Sequence, residues 1–295
     1  MKRKMRKKKC TGIRDRPTKS RFPGITLGYL TAMALLLGTA VMRLHQSRQM
    51  EQVLSDYEDE VEEYSQRMLD AMYEAAAAYN ETLARTGSTK GYASLLNFGD
   101  DGLMGRITIP SIDVDLPVYH TTQSSVLKKG IGHLESSSLP IGGESTHAVL
   151  TGHCGQIGKR LFTDLDLVEI GDFFYIEIGD RVMVYEVVRI QVVLPDETES
   201  LSIVSGEDLC TLVTCTPYGV NSHRLLVTGR AADEYDFEAE PDRRILRLRD
   251  LLLPAAAVAE TSLYLWMVKR DRRKRSRHMS GPAGSGHADE GRKNV

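Results

Sequence analysis

Short apolar or alternating runs follow one another after residue 105, and they constrain the fold more than any other feature of the chain. Seven occur before residue 230: "GRITIP", "LPVYH", "HAVLTG", "DFFYIEI", "RVMVYEVVRIQVVL", "LCTLVTC" and "RLLVTG". Gly, Pro, Asp and Ser residues separate them, which is typical of strands joined by turns. Seven or eight strands of this length indicate a mainly β domain, a closed barrel or a sandwich. "SSVLKKG" and "KRLFTDLDLV" predict short helical turns within it.

An amphipathic segment at residues 46–86 predicts a helix before the β region. Its apolar stripe recurs at spacings of three and four residues and consists of Leu54, Tyr57, Val61, Tyr64 and Met68. Most residues between them are acidic, so we expect the stripe to pack on the following domain, with a coiled-coil partner as the alternative. Gly87 is expected to end the helix.

The net charge of −2 conceals two basic ends around an acidic centre. Residues 1–21 hold 11 Lys and Arg against one acidic residue, and residues 269–295 hold nine against three. The remaining chain holds 18 basic and 36 acidic residues. Each basic end adjoins an apolar run, so membrane topology explains these charges better than nucleic-acid binding does.

Two apolar runs predict membrane segments. Residues 22–42 contain no charge and are long enough to cross a bilayer. They exceed a usual signal-peptide core, which favours an uncleaved anchor over a cleaved signal. Residues 251–268 contain Glu260 and Pro254, so an amphipathic or buried helix is the alternative to a second transmembrane helix. The positive-inside rule then puts both termini in the cytoplasm and residues 43–250 outside.

The chain has four cysteines, Cys10, Cys154, Cys210 and Cys215. Cys10 would be cytoplasmic, which leaves an odd number outside, so at least one external thiol has no partner within the chain. No CxxC pair with metal-ligand spacing occurs, so no zinc site is predicted. No cofactor is predicted either.

Cys215 and Arg224 carry the strongest chemical signal. In a regular strand Cys210 and Cys215 point to opposite faces, so we expect Cys210 to be a small buried hydrophobe. Cys215 ends the strand, just before Thr216-Pro217. If "TPYGVNSH" joins two neighbouring strands, Arg224 lies beside Cys215, where a guanidinium favours the thiolate and binds an oxyanion. The alternative is a buried cysteine and a surface arginine on a hairpin.

A cysteine nucleophile also needs a proton donor, most often histidine. The β region offers five candidates: His120, His133, His147, His153 and His223. His153 is favoured because "AVLTGHCG" is an apolar strand that runs into a glycine-flanked loop. His223 is expected to face away from its neighbour Arg224.

Three of these segments, "TLVTC", "TGH" and "NSHRLLVTG", resemble the signatures of the sortases, the cysteine transpeptidases of Gram-positive cell surfaces. "LLNFGDDGLMGRITIPSIDVDLPVYH", "GIGHLESSSLPIGGESTHAVLTGH", "KRLFTDLDLVEIGDFFYI", "VVLPDETESL" and "TLVTCTPYGVNSHRLLVTG" are similar to class C, the pilin-polymerising sortases. The similarity runs in order from about residue 92 to residue 230.

The resemblance implies a mainly β fold, a closed sortase-type β-barrel of about eight strands, preceded by N-terminal helices and flanked by two transmembrane helices. It implies that Cys215 attacks the Thr–Gly carbonyl of an LPXTG-like signal and forms a thioester. His153 would be the general acid and base, and Arg224 would hold the signal and stabilise the oxyanion.

The implied partners are pilin or surface proteins with LPXTG-like signals, and in class C the acceptor is a pilin lysine. The expected location is the cell membrane, with the catalytic domain outside. A sortase that uses a peptidoglycan amine and a non-catalytic assembly scaffold remain alternatives, whereas the β signals oppose a papain-like protease.

The implied organisation has seven segments: a basic cytoplasmic tail at 1–21, a transmembrane helix at 22–42, an extracellular helical or lid segment at 43–91, the β-barrel at 92–232, a linker at 233–250, a second transmembrane helix at 251–268 and a basic cytoplasmic tail at 269–295.

Two features depart from the class C pattern. The Asp-Pro-aromatic motif of the usual lid is absent between residues 80 and 105, so lid control by that chemistry is not expected. In its place "LARTG", formed by Leu83, Ala84, Arg85, Thr86 and Gly87, differs from an LPXTG-type signal only by alanine for proline. It is a candidate pseudosubstrate, with a Gly-capped helix end as the alternative.

Cys154 follows His153 and is a candidate redox partner of Cys215, with a loop thiol outside any disulfide as the alternative.

Overall fold

The computed structural model describes residues 22–99, 101–156, 159–232 and 248–279. Its helices are α1 (Phe22–Glu63), α2 (Gln66–Thr86), α3 (Ser124–Leu127) and α4 (Leu248–Met279). Its strands are β1 (Leu103–Ile109), β2 (Val114–His120), β3 (Ile131–His133), β4 (Thr146–Thr151), β5 (Phe173–Ile178), β6 (Arg181–Val193), β7 (Asp208–Thr216) and β8 (His223–Ala231). The chain divides into two compact units, residues 1–38 with 248–295, and residues 39–247.

The eight strands close into a barrel in the order β1-β2-β3-β4-β7-β8-β6-β5, which confirms the expected closed β-barrel. The β2–β3 and β4–β7 pairs are parallel, and the other neighbours are antiparallel. Seven strands coincide with the seven apolar runs of the sequence. The eighth, β3, has only three residues, too few to show an alternating pattern. The helical turns also occur, as α3 and as a 3₁₀ turn at Leu165–Leu167.

Alternation along β4, β7 and β8 sorts their side chains onto two apolar faces. One face joins the main core and includes Leu150, Cys210, Leu212, Leu225 and Val227. The opposite face carries a second cluster of Val149, Val213 and Leu226, against which Leu134, Val193 and Leu201 pack. We call this second group the outer cluster. Cys215 shares its parity with Val213 and therefore lies on the same face of β7 as the outer cluster.

The end of α1 and the whole of α2 are joined to the β5–β6 turn through two tyrosines. The Gly179 N–H donates to the Tyr57 hydroxyl at 2.7 Å, and the Tyr73 hydroxyl donates to Asp180 Oδ1 at 2.7 Å. Tyr57 is only 3% exposed, so the apolar stripe packs on the following domain as expected. Gly179 has φ +58, and a β-carbon there would collide with the Tyr73 hydroxyl, so the contact requires glycine.

The expectation of one helix over residues 46–86 is wrong, because α1 ends at Glu63 and α2 begins at Gln66. The break changes which side chains face the core: Met68 is 52% exposed, whereas Leu69 is 3% exposed. A spacing of three and four residues describes one face only while the helix is continuous, so the stripe fails after the break. The predicted end of α2 is confirmed, since Gly87 adopts φ +68 and its N–H donates to Leu83 O at 2.7 Å.

Within the described residues, the stretch Thr26–Glu63 of α1 has the length and composition of a membrane-crossing helix. α4 contains the second apolar run, but its described residues are not apolar enough to qualify as a membrane-crossing helix by length and composition. The second transmembrane helix therefore stays a prediction. The basic tail at 1–21 with Cys10, residues 233–247 of the linker and residues 280–295 of the C-terminal tail lie outside the described residues.

Candidate active site

Cys215 and Arg224 lie opposite each other at one end of the barrel. They are register partners in the antiparallel β7–β8 pair, next to the pair formed by Thr216 and His223. Directly opposed residues in such a pair point to the same face, with β-carbons about 4.5–5.5 Å apart. The loop at residues 217–222 joins the two strands, so the hairpin itself brings the thiol and the guanidinium together.

His153 follows β4, the strand that pairs with β7 on the side away from β8. β4 runs parallel to β7 with Thr151 opposite Val213, and both chains continue for two residues to His153 and Cys215. The Gly152 N–H donates to Val213 O at 3.0 Å, and the Thr214 hydroxyl donates to Gly152 O at 2.8 Å. These bonds hold the two strand ends side by side up to His153.

The three residues Cys215, His153 and Arg224 are each partly exposed, so solutes can reach them. Cys210 differs, since it is 0% exposed and burial raises the pKa of its thiol well above the usual value. Cys210 is thus a protonated core residue, as expected. Of the two β7 cysteines, only Cys215 can meet a substrate.

The Arg224 guanidinium is held by the β7–β8 loop. Its Nη1 group donates to Asn221 O at 3.3 Å and to His223 O at 3.0 Å. No acceptor in the described part of the chain takes a hydrogen from its Nε or Nη2. An arginine has five N–H donors, so donors remain for an oxygen atom beside Cys215.

The outer cluster adjoins this site. Val213 precedes Cys215 by two residues on the same face, and Val193 of β6 is the register partner of Arg224. Leu201, in the segment between β6 and β7, packs over the cluster. The site therefore has an apolar border on its β6 side, which sequence reasoning missed because three separate segments form it.

Two of the other candidate histidines, His133 and His147, are buried in the barrel and hydrogen-bonded there. His133 is 0% exposed and lies 2.8 Å from both the Tyr92 hydroxyl and Ser138 O, and burial lowers its pKa to about 4. His147 is also buried, with its pKa lowered by burial, and links Ser202 O at 2.8 Å to Thr211 Oγ1 at 2.7 Å.

The two remaining histidines differ from each other in exposure. His120 binds the carbonyl oxygens of Gly102 and Leu95 at 3.0 and 2.7 Å and is 7% exposed. His223 lies next to Arg224 on the hairpin and contacts its neighbour Ser222. Its position opposite Thr216 puts it on the face of β8 that Arg224 does not share.

The LARTG segment lies in the last turn of α2. Leu83 is 6% exposed in the main core, and Gly87 caps the helix. Because the segment is helical and Leu83 is buried, it would have to leave α2 before acting as a pseudosubstrate.

Cys154 lies in the loop after His153 and is partly exposed. It forms no disulfide with Cys210 or Cys215. Across residues 22–99, 101–156, 159–232 and 248–279, no three His, Cys, Asp or Glu side chains come together as metal ligands.

Known proteins resemble this chain in sequence and in structure. A family model described as the sortase domain matches residues 107–232. The crystal structure of sortase C1 from Streptococcus agalactiae is 42% identical with a TM-score of 0.60, and the match covers 62% of this chain and 100% of that one. Clostridium perfringens sortase C, solved with the C-terminal cell wall sorting motif, is 40% identical with a TM-score of 0.58, covering 62% and 99%.

A curated relative, sortase A of Streptococcus agalactiae, is 29% identical over 117 residues, which is 39% of this chain and 47% of the relative. The chain thus spans about half the length of that relative.

Proposed function

Since this chain belongs to the sortase family and its solved relatives support class C, we propose that it is a membrane-anchored cysteine transpeptidase for proteins with an LPXTG-like sorting signal. The observation that carries the proposal is the pairing of β7 with both β4 and β8: Cys215 is the register partner of Arg224, and His153 follows β4 by two residues. A nucleophile, an acid–base group and a fixed cation are the groups that acyl transfer through a thioester needs.

In the first half of the reaction, Cys215 Sγ attacks the carbonyl carbon of the Thr–Gly bond. The carbonyl oxygen becomes an oxyanion, to which the remaining Arg224 N–H groups donate. His153 gives its proton to the glycine nitrogen as the C–N bond breaks. The products are a thioester on Cys215 and a released peptide with a new amino terminus.

In the second half, an amine displaces the Cys215 sulfur from the acyl carbon. The neutral amine attacks the thioester carbonyl, a C–N bond forms, and the C–S bond breaks. The proton of the attacking nitrogen passes to His153, which is neutral after the first half, and Cys215 leaves as the thiolate. Likeness to class C enzymes favours a lysine of a pilin subunit as this amine. A peptidoglycan amine is the second candidate, because it requires the same residues and differs only in the acceptor.

The apolar part of the sorting signal would lie beside the outer cluster. Val213 and Val193 border Cys215 and Arg224 on that side, and Leu201 lies above them. A leucine side chain there would meet apolar atoms, while the Thr–Gly bond reached Cys215. The relative solved with the C-terminal cell wall sorting motif supports a role for such a signal in this fold.

The proposed membrane arrangement places residues 22–42 as an anchor and residues 251–268 as a second span. The apolar start of α1 and the basic residues at both ends of the chain support it. Both termini then lie in the cytoplasm and the β-barrel lies outside, where secreted sorting-signal proteins emerge. Residues 1–21 and 269–295 are the basic tails, and 233–250 is the linker.

The test uses the full chain in detergent, incubated with an LPXTG-type peptide and examined by intact mass spectrometry. We expect an adduct of the N-terminal half of the peptide on Cys215, absent in Cys215→Ala and present in Cys154→Ala. Binding without an adduct would overturn the enzymatic proposal and favour an assembly scaffold. Adding a pilin-derived lysine peptide in one arm and a peptidoglycan stem peptide in another shows, from the product masses, which amine is accepted.

A further inference from the structure

Tyr218 is an exposed aromatic residue three positions after Cys215. It stands on the β7–β8 loop with 68% of its surface exposed. The loop is closed by the N–H groups of Val220 and Asn221, which donate to Pro217 O at 3.0 and 2.9 Å. A tyrosine in an ordered turn that covers none of the core has its ring face available to a substrate.

The Tyr218 ring lies against the loop that carries His153. A β-carbon built on Gly155 would lie 3.0 Å from Tyr218 Cε2 and 3.4 Å from Cζ. Gly155 follows His153 by two residues, has φ +78 and donates its N–H to Thr163 Oγ1 at 3.0 Å. The absence of a side chain at Gly155 thus lets Tyr218 settle beside the loop of the proposed acid–base residue.

The same turn is joined to Arg224, because Arg224 Nη1 donates to Asn221 O. Tyr218 is therefore positioned from two sides, by the Gly155 loop and by the turn bound to the guanidinium. It borders the site beyond the ends of β4 and β7, whereas the outer cluster borders the site along the strands.

These two borders separate the two substrates of the proposed reaction. The apolar part of the donor signal is placed along the outer cluster, where the partly exposed Val193 and Leu201 lie. The incoming amine must reach both the thioester on Cys215 and the imidazole of His153, so it enters beyond the strand ends. Tyr218 is an exposed aromatic side chain on the turn beyond those strand ends.

We infer that Tyr218 is a specificity-determining residue for the acceptor and that its ring receives the side chain of an incoming lysine. This inference rests on the proposed function. A lysine stem lies readily along apolar surface, and its ammonium is attracted to an aromatic face within about 6 Å. Once the ammonium has lost one proton to water, the amine attacks as described above, and His153 takes the second proton.

The experiment compares two nucleophiles on the same thioester. Full-length wild-type protein, Tyr218→Ala and Tyr218→Phe receive an LPXTG-type peptide together with either a lysine-containing peptide or hydroxylamine, which has no stem to bind. Val220→Ala is the matched control, since Val220 is 70% exposed on the same turn. For Tyr218→Ala we expect a KM for the lysine peptide about two- to fivefold higher. Tyr218→Phe keeps the ring and should restore the wild-type KM.

The pattern across both nucleophiles decides the inference. A higher KM of Tyr218→Ala for the lysine peptide, with an unchanged reaction with hydroxylamine, supports it. An equal fall in the reaction rate with the lysine peptide and with hydroxylamine would overturn it, because Tyr218 would then act on thioester formation. An unchanged KM for the lysine peptide would overturn it as well. If wild-type protein gave no hydroxamate, no thioester would have formed, and the proposed function itself would fail.

Discussion

Cys215, the penultimate residue of β7, lies directly opposite Arg224, the second residue of β8. The relationship is set by strand register, because a slip of one residue would turn one of the two side chains to the other face. The bonds from Arg224 Nη1 to Asn221 O and His223 O then fix the guanidinium beside the thiol. A rigid cation at this point can stabilise a charge that develops next to Cys215 without first reorganising.

Replacing Arg224 is expected to slow thioester formation. Arg224→Ala should lower the rate by about 10²–10³-fold, the usual cost of losing an oxyanion donor. Arg224→Lys should recover only part of this, since lysine keeps the charge without the planar donor group. Arg230→Ala is the control, because Arg230 lies on the same face of β8 and binds Glu207 far from Cys215. Equal losses for Arg224→Ala and Arg230→Ala in quenched-flow mass spectrometry would contradict the assignment.

Thr214 is expected to act as a positioning residue for His153. Its buried hydroxyl donates to Gly152 O, immediately before His153. Thr214→Val keeps the shape but removes the donor, and a small displacement of His153 should lower kcat about tenfold with little change in the KM for the donor peptide. Thr214→Ser should restore kcat. A purely structural role would instead lower thermal stability without a kcat loss that serine rescues.

Oxidation tests the proposed pairing of Cys154 with Cys215. Both residues are partly exposed, with Cys215 near the end of β7 and Cys154 in the loop three residues after β4, and Cys210 is too buried to compete. A redox switch predicts that oxidised glutathione inactivates the wild type, that reductant restores activity, and that a peptide map shows the Cys154–Cys215 disulfide. Cys154→Ala should lack this disulfide. Activity that neither oxidant nor reductant changes would rule out the switch.

The LARTG segment can be tested with Arg85→Ala and Gly87→Ala together. A pseudosubstrate would release the site when altered and so speed thioester formation. Because Leu83 is buried and Gly87 caps α2, we expect an unchanged rate. Gly87→Ala should also reduce the free energy of unfolding by about 1 kcal/mol, since its φ of +68 disfavours alanine. Arg85→Ala alone is the control. Faster thioester formation in the double variant would instead support the pseudosubstrate.

The sequence predicts those parts of the fold and of the site that short, continuous segments of the chain determine. Seven strands show their own apolar pattern and turn residues, and the hairpin between Cys215 and Arg224 is short, so their proximity follows from adjacent segments. β3 is defined by pairing with β2 and β4 and has no pattern of its own. Neither glycine nor proline marks the break at Ser65. The contact of Tyr218 with Gly155 joins two loops that only the barrel brings together.

Buried His133 is expected to make stability depend on pH. Burial lowers its pKa from 6.5 to about 4, so between these values the unfolded chain binds a proton that the folded chain does not. The free energy of unfolding should therefore fall as the pH drops from about 6.5 to 4, by about 3 kcal/mol from this group. His133→Gln can still donate to Ser138 O and accept from the Tyr92 hydroxyl without titrating.

Urea unfolding followed by near-UV circular dichroism at pH 7 and pH 4.5 measures this difference. His133→Gln should show a smaller loss of stability on acidification than the wild type, whatever its stability at pH 7. His45→Gln, at an exposed position on α1, should keep the wild-type loss. His147, whose pKa burial also lowers, contributes in the same direction in all three proteins and cancels in the comparison. Equal losses in the wild type and His133→Gln would show that His133 does not carry the effect.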